Sequence, residues 1–269
     1  MEGRFDAKAA LNEGFGLLRA RQGLMLTWAL LFLVMTLIGA GLQQWRDQMA
    51  VAAMAAGRTA MALNLQTQAV AALEALISIL ISSVVWSSGF AALLHPETRK
   101  PIGFGVTESR VLAVRLITQF LATLPLLPLP VLAVATRNLG LLAYTGPLSL
   151  VFGLVGALWA SVATLWVCER GRIAPIRCWS GFRGVFGGFI PLFLAIAVVF
   201  LLLGGQVNRV AALVNGGRPI LARPGLDAFL SAPILVQTLL TVVIVVLQVA
   251  LLAGITAHAW RVAQAKTAA

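Results

Sequence analysis

The sequence predicts an all-α integral membrane bundle of six transmembrane helices with both termini cytoplasmic, and three observations carry that expectation. Of 269 residues, 60% are hydrophobic and only 11% charged, whereas soluble domains are about 25% charged. The apolar residues gather into six runs of roughly the 20 residues that a helix needs to cross bilayer hydrocarbon. The basic residues fall mostly on one side of those runs. A chain so poor in charge could not cover a water-facing surface, so lipid is the solvent for much of it. Open strands would leave backbone groups unsatisfied in lipid, and the runs are too long and uniformly apolar for barrel strands. No linker divides the chain, which reads as one membrane domain over 1–269.

The first span is expected at about 23–42 (GLMLTWALLFLVMTLIGAGL) and reads as a retained signal-anchor, since no small-residue cleavage site follows a short apolar core. The connection 43–70 is rich in Ala, Met, Leu and Gln with a single Gly. That composition favours helix continuing past the membrane from the second span, with the first as an option. The second span is expected at about 71–94 and the third at about 111–135. After a short loop at 136–146, the fourth follows at about 147–168 (PLSLVFGLVGALWASVATLWVC) and the fifth at about 185–204. The connection 205–232 contains NGGRPILARPG, whose Gly-Gly pair and prolines force turns, and then LDAFL, read as one helical turn. The sixth span is expected at about 233–259.

Orientation follows from Lys and Arg. One side holds Arg4, Lys8, Arg19, Arg21, Arg99, Lys100, Arg110, Arg115, Arg170, Arg172, Arg177, Arg183, Arg261 and Lys266. The other holds Arg46, Arg58, Arg137, Arg209, Arg218 and Arg223. The excess marks the first side as cytoplasmic. It also explains the net charge of +11 through anionic lipid headgroups at that surface. No nucleic-acid partner is expected, because the charge is spread over four short segments with no binding module among them.

Gly-Phe recurs before the first, third and fifth spans, as Gly14-Phe15, Gly103-Phe104 and Gly181-Phe182. Each pair is followed by arginine and then a span, which suggests three tandem units of interfacial helix plus transmembrane hairpin. In the first unit Leu11, Phe15 and Leu18 recur at helical spacing, with Lys8, Asn12, Glu13 and Arg19 largely elsewhere around the helix. The competing reading is chance recurrence of a common dipeptide.

Catalytic constellations are hard to find. His95 and Glu97 lie two apart, His258 sits at the far end of the sixth span, and no H-E-x-x-H or comparable ligand spacing exists. Cys168 and Cys178 are not in C-x-x-C and read as structural. A nucleophile elbow, a P-loop and a G-x-G-x-x-G are absent, and no cofactor is expected. Of the ionisable residues at membrane depth, Glu74 and Arg115 each lie about one turn inside a predicted span, where Arg115 is close enough to snorkel to the interface. Gln119, Gln237 and Gln248 lie deeper and are candidates for bonds between helices. In ATLPLLPLPVLAVA, Pro125, Pro128 and Pro130 remove backbone donors. The run either ends the third helix or breaks it into a substrate site with Gln119.

The most polar stretch, HPETRKPIGFGVTESRVL, resembles a loop of multi-pass inner-membrane proteins of alphaproteobacteria, with Pro96, Glu97, Arg99, Glu108 and Arg110 at matching positions. His95 stands where those proteins carry arginine. APIRCWSGFRGVFGGFIPLF is also similar to the approach to a later span in that group and in the membrane domains attached to glycerophosphodiester phosphodiesterases. The resemblance implies a six-helix membrane domain and no particular activity.

From the residues themselves, Glu97, Arg99, Glu108 and Arg110 are expected to form ion pairs that hold neighbouring hairpins in register, with a docking site for a cytoplasmic partner as the alternative. The function expected is a non-enzymatic bacterial inner-membrane protein, an accessory or scaffold subunit. The alternative is a transporter or permease for a small or amphiphilic molecule. Much Ala, Leu and Arg with little Lys points to a GC-rich bacterium and hence to the inner (plasma) membrane. The partners expected are anionic lipid and either another membrane protein or a second copy.

Overall fold

A computed structural model describes residues 5–55, 60–97, 104–126, 139–217 and 231–268, with Pro128, Leu132, Ala135 and Thr136 between the third and fourth of these ranges. Seven α-helices account for nearly all of it: α1 (Ala7–Ala20), α2 (Gln22–Ala55), α3 (Ala60–Leu94), α4 (Val106–Thr123), α5 (Thr145–Arg170), α6 (Phe186–Val214) and α7 (Ala232–Ala268). There is no strand among the described residues. The last six helices are each long and apolar enough to cross a bilayer. This is a multi-pass helical membrane protein.

The spans agree with the apolar runs and differ from them at the ends. Helices α2 and α3 run far into the 43–70 connection, as its helix-forming composition dictates. The largest difference is at the third span, which begins at Val106 and not at 111 and is described continuously to Leu126. Its start moves earlier because the Glu108 carboxylate accepts the Gly105 N–H at 3.0 Å and so stabilises the first turn. Its α-helix ends at Thr123 because Pro125 brings no backbone donor, and Leu124–Leu126 tighten into a 3₁₀ turn. Pro130 and most of the residues after it lie outside the described residues, as does LDAFL. The turn at Asn215–Gly217 is described, with Gly216 and Gly217 at φ of 67° and 80°.

The three Gly-Phe approaches take three forms. Gly14 and Phe15 are helical within α1, Phe104 is coil with Gly103 outside the described residues, and Gly181-Phe182 end a 3₁₀ helix over Arg177–Phe182. Phe182 is fully buried, while Phe15 and Phe104 are exposed. Among the described residues an α-helix precedes a span at the first of these places and a 3₁₀ helix at the third.

The helices pack as two compact units. One comprises 1–20, 83–197 and 249–269, the other 21–82 and 198–248. In the first unit α5 is buried almost all round from Gly156 to Val167, with α4 packed along it. Residues 249–260 of α7 are equally enclosed. Helices apolar on every side belong in such positions. Helix α1 crosses α7 backbone to backbone. A Cβ on Gly14 would stand 2.8 Å from the Leu251 Cα, and one on Gly254 would run into the Gly14 backbone. Small residues at helix crossings permit this approach in membranes. Leu26, Leu30, Val34 and Ile38 leave an exposed stripe along α2, and Leu116, Ile117 and Phe120 do so on α4. In water such stripes would aggregate; in lipid they are solvated.

Gly254→Ala should therefore lower the melting temperature in detergent, at a cost of about 1–3 kcal/mol for an overpacked contact. Gly153→Ala meets nothing within 4 Å and should leave it unchanged. Equal melting of both variants would refute the α1–α7 crossing.

Candidate functional site

Two places concentrate chemistry, one in each unit. In the first unit the crossing of α1 over α7 brings together Glu13, His258 and Arg261. His258 Nδ1 lies 2.8 Å from Glu13 Oε1, and Arg261 pairs with Glu13 Oε2. Arg261 also donates to the Leu93 carbonyl at the end of α3, at 3.1 Å. The Phe5 ring meets the imidazole edge-on at 5.5 Å. His258 Nε2 is buried without a partner, so the imidazole addresses Glu13 through one nitrogen only. Sequence reading missed this cluster because Glu13 and His258 stand 245 residues apart. Two signals were present. His258 and Arg261 share a helix face at i, i+3, and Gly14 and Gly254 permit the crossing that brings Glu13 to them.

Of the loop residues expected to pair, Glu108 and Arg110 have described partners, and these are not each other. Glu108 accepts from Gly105 N–H and from the Ser87 hydroxyl at 3.3 Å. Arg110 donates to the Gly171 carbonyl at 2.6 Å. Gly171 ends α5 in the left-handed conformation, φ 64°, so its carbonyl is turned out of the helix and available. Glu97 is exposed in the turn after α3, and Arg99 lies outside the described residues. His95 is 3.9 Å from Glu169, an exposed and weak contact. Glu108 and Arg110 thus bond chiefly to backbone at helix ends and not to each other.

Arg115 sits nine residues into α4, deeper than the sequence suggested because the helix starts earlier. Side chains on a helix lean toward its N-terminus, and its guanidinium lies over the Trp86 ring, 5.5 Å from the centroid. Arg170, in the last turn of α5, lies between Trp166 and Trp260 at 5.9 and 5.8 Å. There it also meets the negative end of the helix dipole. Trp260 occupies the space a Gly181 side chain would need and packs on Phe182, 5.5 Å between ring centroids. Cys178 is buried beneath this cluster, 3.0 Å from the Pro175 carbonyl, and desolvation pushes its thiol up to about 12. Among the described residues, no three His, Cys, Asp or Glu side chains gather into a group that could hold a metal.

The second unit contains a cavity of about 410 Å³ between α2, α3 and α7, lined in part by Gly39, Glu74, Ser78, Gln237, Thr238 and Thr241. Gln237 donates to Asn208 of α6 at 2.9 Å, a bond between helices of the kind its depth suggested. Neither Gln119 nor the described prolines line the cavity. Gln119, Pro125 and Pro128 are exposed, and Pro130 is outside the described residues. This cavity therefore does not involve the described residues of the proline run.

Glu13→Gln and Arg261→Gln should each lower the melting temperature, and the double variant should lose less than the sum. A coupling of about 0.5–3 kcal/mol is expected for residues in one network. His95→Ala should stay within about 0.5 kcal/mol, as exposed substitutions do. Cys178 should resist maleimide at pH 8 in the folded protein, because a thiol raised to about 12 offers almost no thiolate. Labelling should appear on denaturation, and rapid labelling of folded protein would contradict the buried loop.

No family model, curated protein or solved structure matches the chain.

Proposed function

We propose that the chain is a non-enzymatic inner-membrane protein of a bacterium, an accessory or scaffold subunit with both termini in the cytoplasm. Six crossings bring the two termini to the same side, and the positive-inside rule chooses the side. The supporting observation is how the cations at this end are used. Arg110, Arg261 and Lys266 donate to the backbone carbonyls of Gly171, Leu93 and Gly184 respectively. Groups spent on helix ends and loops rigidify a platform and leave little for acid–base chemistry. Exposed Arg172, Ile173, Ile176 and Arg177 on the connection after α5 give that platform a basic and apolar surface. Such a surface suits anionic headgroups or a protein partner. The loop residues 95–112 fit the resemblance to alphaproteobacterial inner-membrane proteins on the same terms.

A second reading, a permease-like protein for an amphiphilic molecule, is favoured by the cavity in the second unit. Size-exclusion chromatography in mild detergent separates the two. A partner retained at fixed stoichiometry supports the scaffold. A chain that runs alone, while proteoliposomes containing it move an amphiphile between leaflets, supports the permease.

Topology has its own measurement. In a background lacking Cys168 and Cys178, single cysteines at Gln48 and Gly216 should react with impermeant reagent on intact cells. Cysteines at Lys8 and Arg172 should react only after lysis. External labelling at Arg172 would overturn the orientation.

A further inference from the structure

We infer that the cavity in the second unit is a binding site for one bilayer lipid with a primary ammonium headgroup. Its volume of about 410 Å³ falls within the range of small-molecule sites, roughly 300–1,000 Å³. Its walls combine an apolar body, including Met35, Ile77 and Ile234, with a few polar groups of defined character. Those polar groups are mainly acceptors. The hydroxyl hydrogens of Thr36 and Thr241 are already given to the carbonyls of Phe32 and Gln237, at 2.9 and 2.8 Å. One N–H of the Gln237 amide is given to Asn208, which leaves its second N–H and its carbonyl oxygen. What these three side chains still offer a ligand is oxygen lone pairs and one amide N–H. Glu74 adds the one ionisable side chain on the lining, and a carboxylate has about four lone-pair positions, so a partner within the protein does not exhaust it. An acceptor-lined wall with one negative group selects a cation bearing several N–H donors, and a primary ammonium carries three. Ser78, one turn after Glu74 on α3, and Thr238 on α7 supply hydroxyls for the oxygens of the same headgroup.

Depth points to a lipid and not to a water-soluble amine. Glu74 lies five residues into the span Ala69–Leu94, or roughly 7–8 Å along the helix. That is the level where headgroups give way to acyl chains. Ile38, on the wall, is 38% exposed, and Thr241 is exposed too, so the cavity opens onto the surface where hydrocarbon packs. A lipid can lay its chains along the α2 stripe while its ammonium reaches Glu74. The inference depends on neither account of the chain's wider role, since a scaffold and a permease can each hold a lipid.

The test uses the delipidated full chain in detergent and three phospholipids with identical acyl chains, bearing ethanolamine, choline or glycerol headgroups. Binding is read by native mass spectrometry and by melting temperature. The ethanolamine lipid should bind tightest and raise the melting temperature most. The choline lipid, whose quaternary nitrogen has no N–H, should bind more weakly, and the anionic glycerol lipid weakest. Glu74→Gln should weaken ethanolamine-lipid binding about tenfold to a hundredfold, as loss of a charge-assisted hydrogen bond implies. Gly39→Leu is the second variant. A Cβ there would sit 3.6 Å from Glu74 Oε1, an ordinary contact, so the backbone is undisturbed and the larger side chain fills the cavity. It should abolish binding while the lipid-free melting temperature holds. Equal binding of all three lipids would overturn headgroup recognition. Unchanged binding in Gly39→Leu would place the lipid elsewhere and overturn the site. If Glu74→Gln fails to fold, the headgroup series and Gly39→Leu still decide.

Discussion

A peptide group in hydrocarbon has no water to bond, so it must find its partner inside its own segment. Every larger feature of this chain follows from that constraint. It makes the six apolar runs helices, and it confines turns to the connections. A proline can also mark where the ladder ends, as Pro125 does after Thr123. Hydrocarbon also removes the usual driving force for packing, because lipid tails are as apolar as leucine. Helices then associate through close contact and through hydrogen bonds. The first unit uses both means. Gly14 and Gly254 let α1 and α7 touch along their backbones, and the Ser161 and Thr256 hydroxyls bond between α5 and α7 at 2.9 Å.

The polar residues divide by the same logic. Cations near the ends of helices bond to carbonyls that the helical ladder leaves over, and this is why Arg110 chooses Gly171 over a carboxylate. Desolvating an ion pair costs more than it returns in many settings. A cation on a carbonyl avoids burying a second charge. The Glu13–His258–Arg261 cluster departs from this pattern, and it is placed where Arg261 remains partly exposed and its charge partly hydrated.

Much of the architecture was legible in the chain. Six spans follow from run length, and the helical extension of α2 and α3 follows from Ala, Met, Leu and Gln between them. Other features needed information that periodicity does not hold. The stripe Leu11, Phe15 and Leu18 announced α1 correctly as a helix. Yet the face that α1 buries is Ala10, Gly14 and Leu17. Small residues score poorly as hydrophobic, although they allow the closest approach. The stripe that looked like the packing face is left for the surroundings, as suits a helix at an interface. The third span begins earlier than the apolar run suggests because its first turns carry Glu108, Arg110 and Arg115, which dilute the hydropathy and which the fold accommodates one by one. Glu74 read as an interfacial carboxylate, and only the meeting of α2, α3 and α7 turned it toward a cavity. The partners of Glu108 and Arg110 were not legible, because a carbonyl or backbone N–H leaves no mark in a sequence.

Helix α2 carries a consequence of a different kind. Its exposed stripe begins at Leu26, and an exposed Trp45 stands 19 residues further on, beside Arg46 and Asp47. At 1.5 Å per residue the interval is roughly 29 Å, close to the thickness of bilayer hydrocarbon. Tryptophan prefers the boundary between chains and headgroups. The interval from Leu26 to Trp45 therefore works as a gauge. A bilayer a few ångströms thinner would oblige α2 to tilt, and a thicker one would draw Arg46 and Asp47 inward or pinch locally. Each deviation costs fractions of a kcal/mol per ångström. That is enough to bias where in a laterally uneven membrane the protein gathers, with no receptor or targeting signal involved.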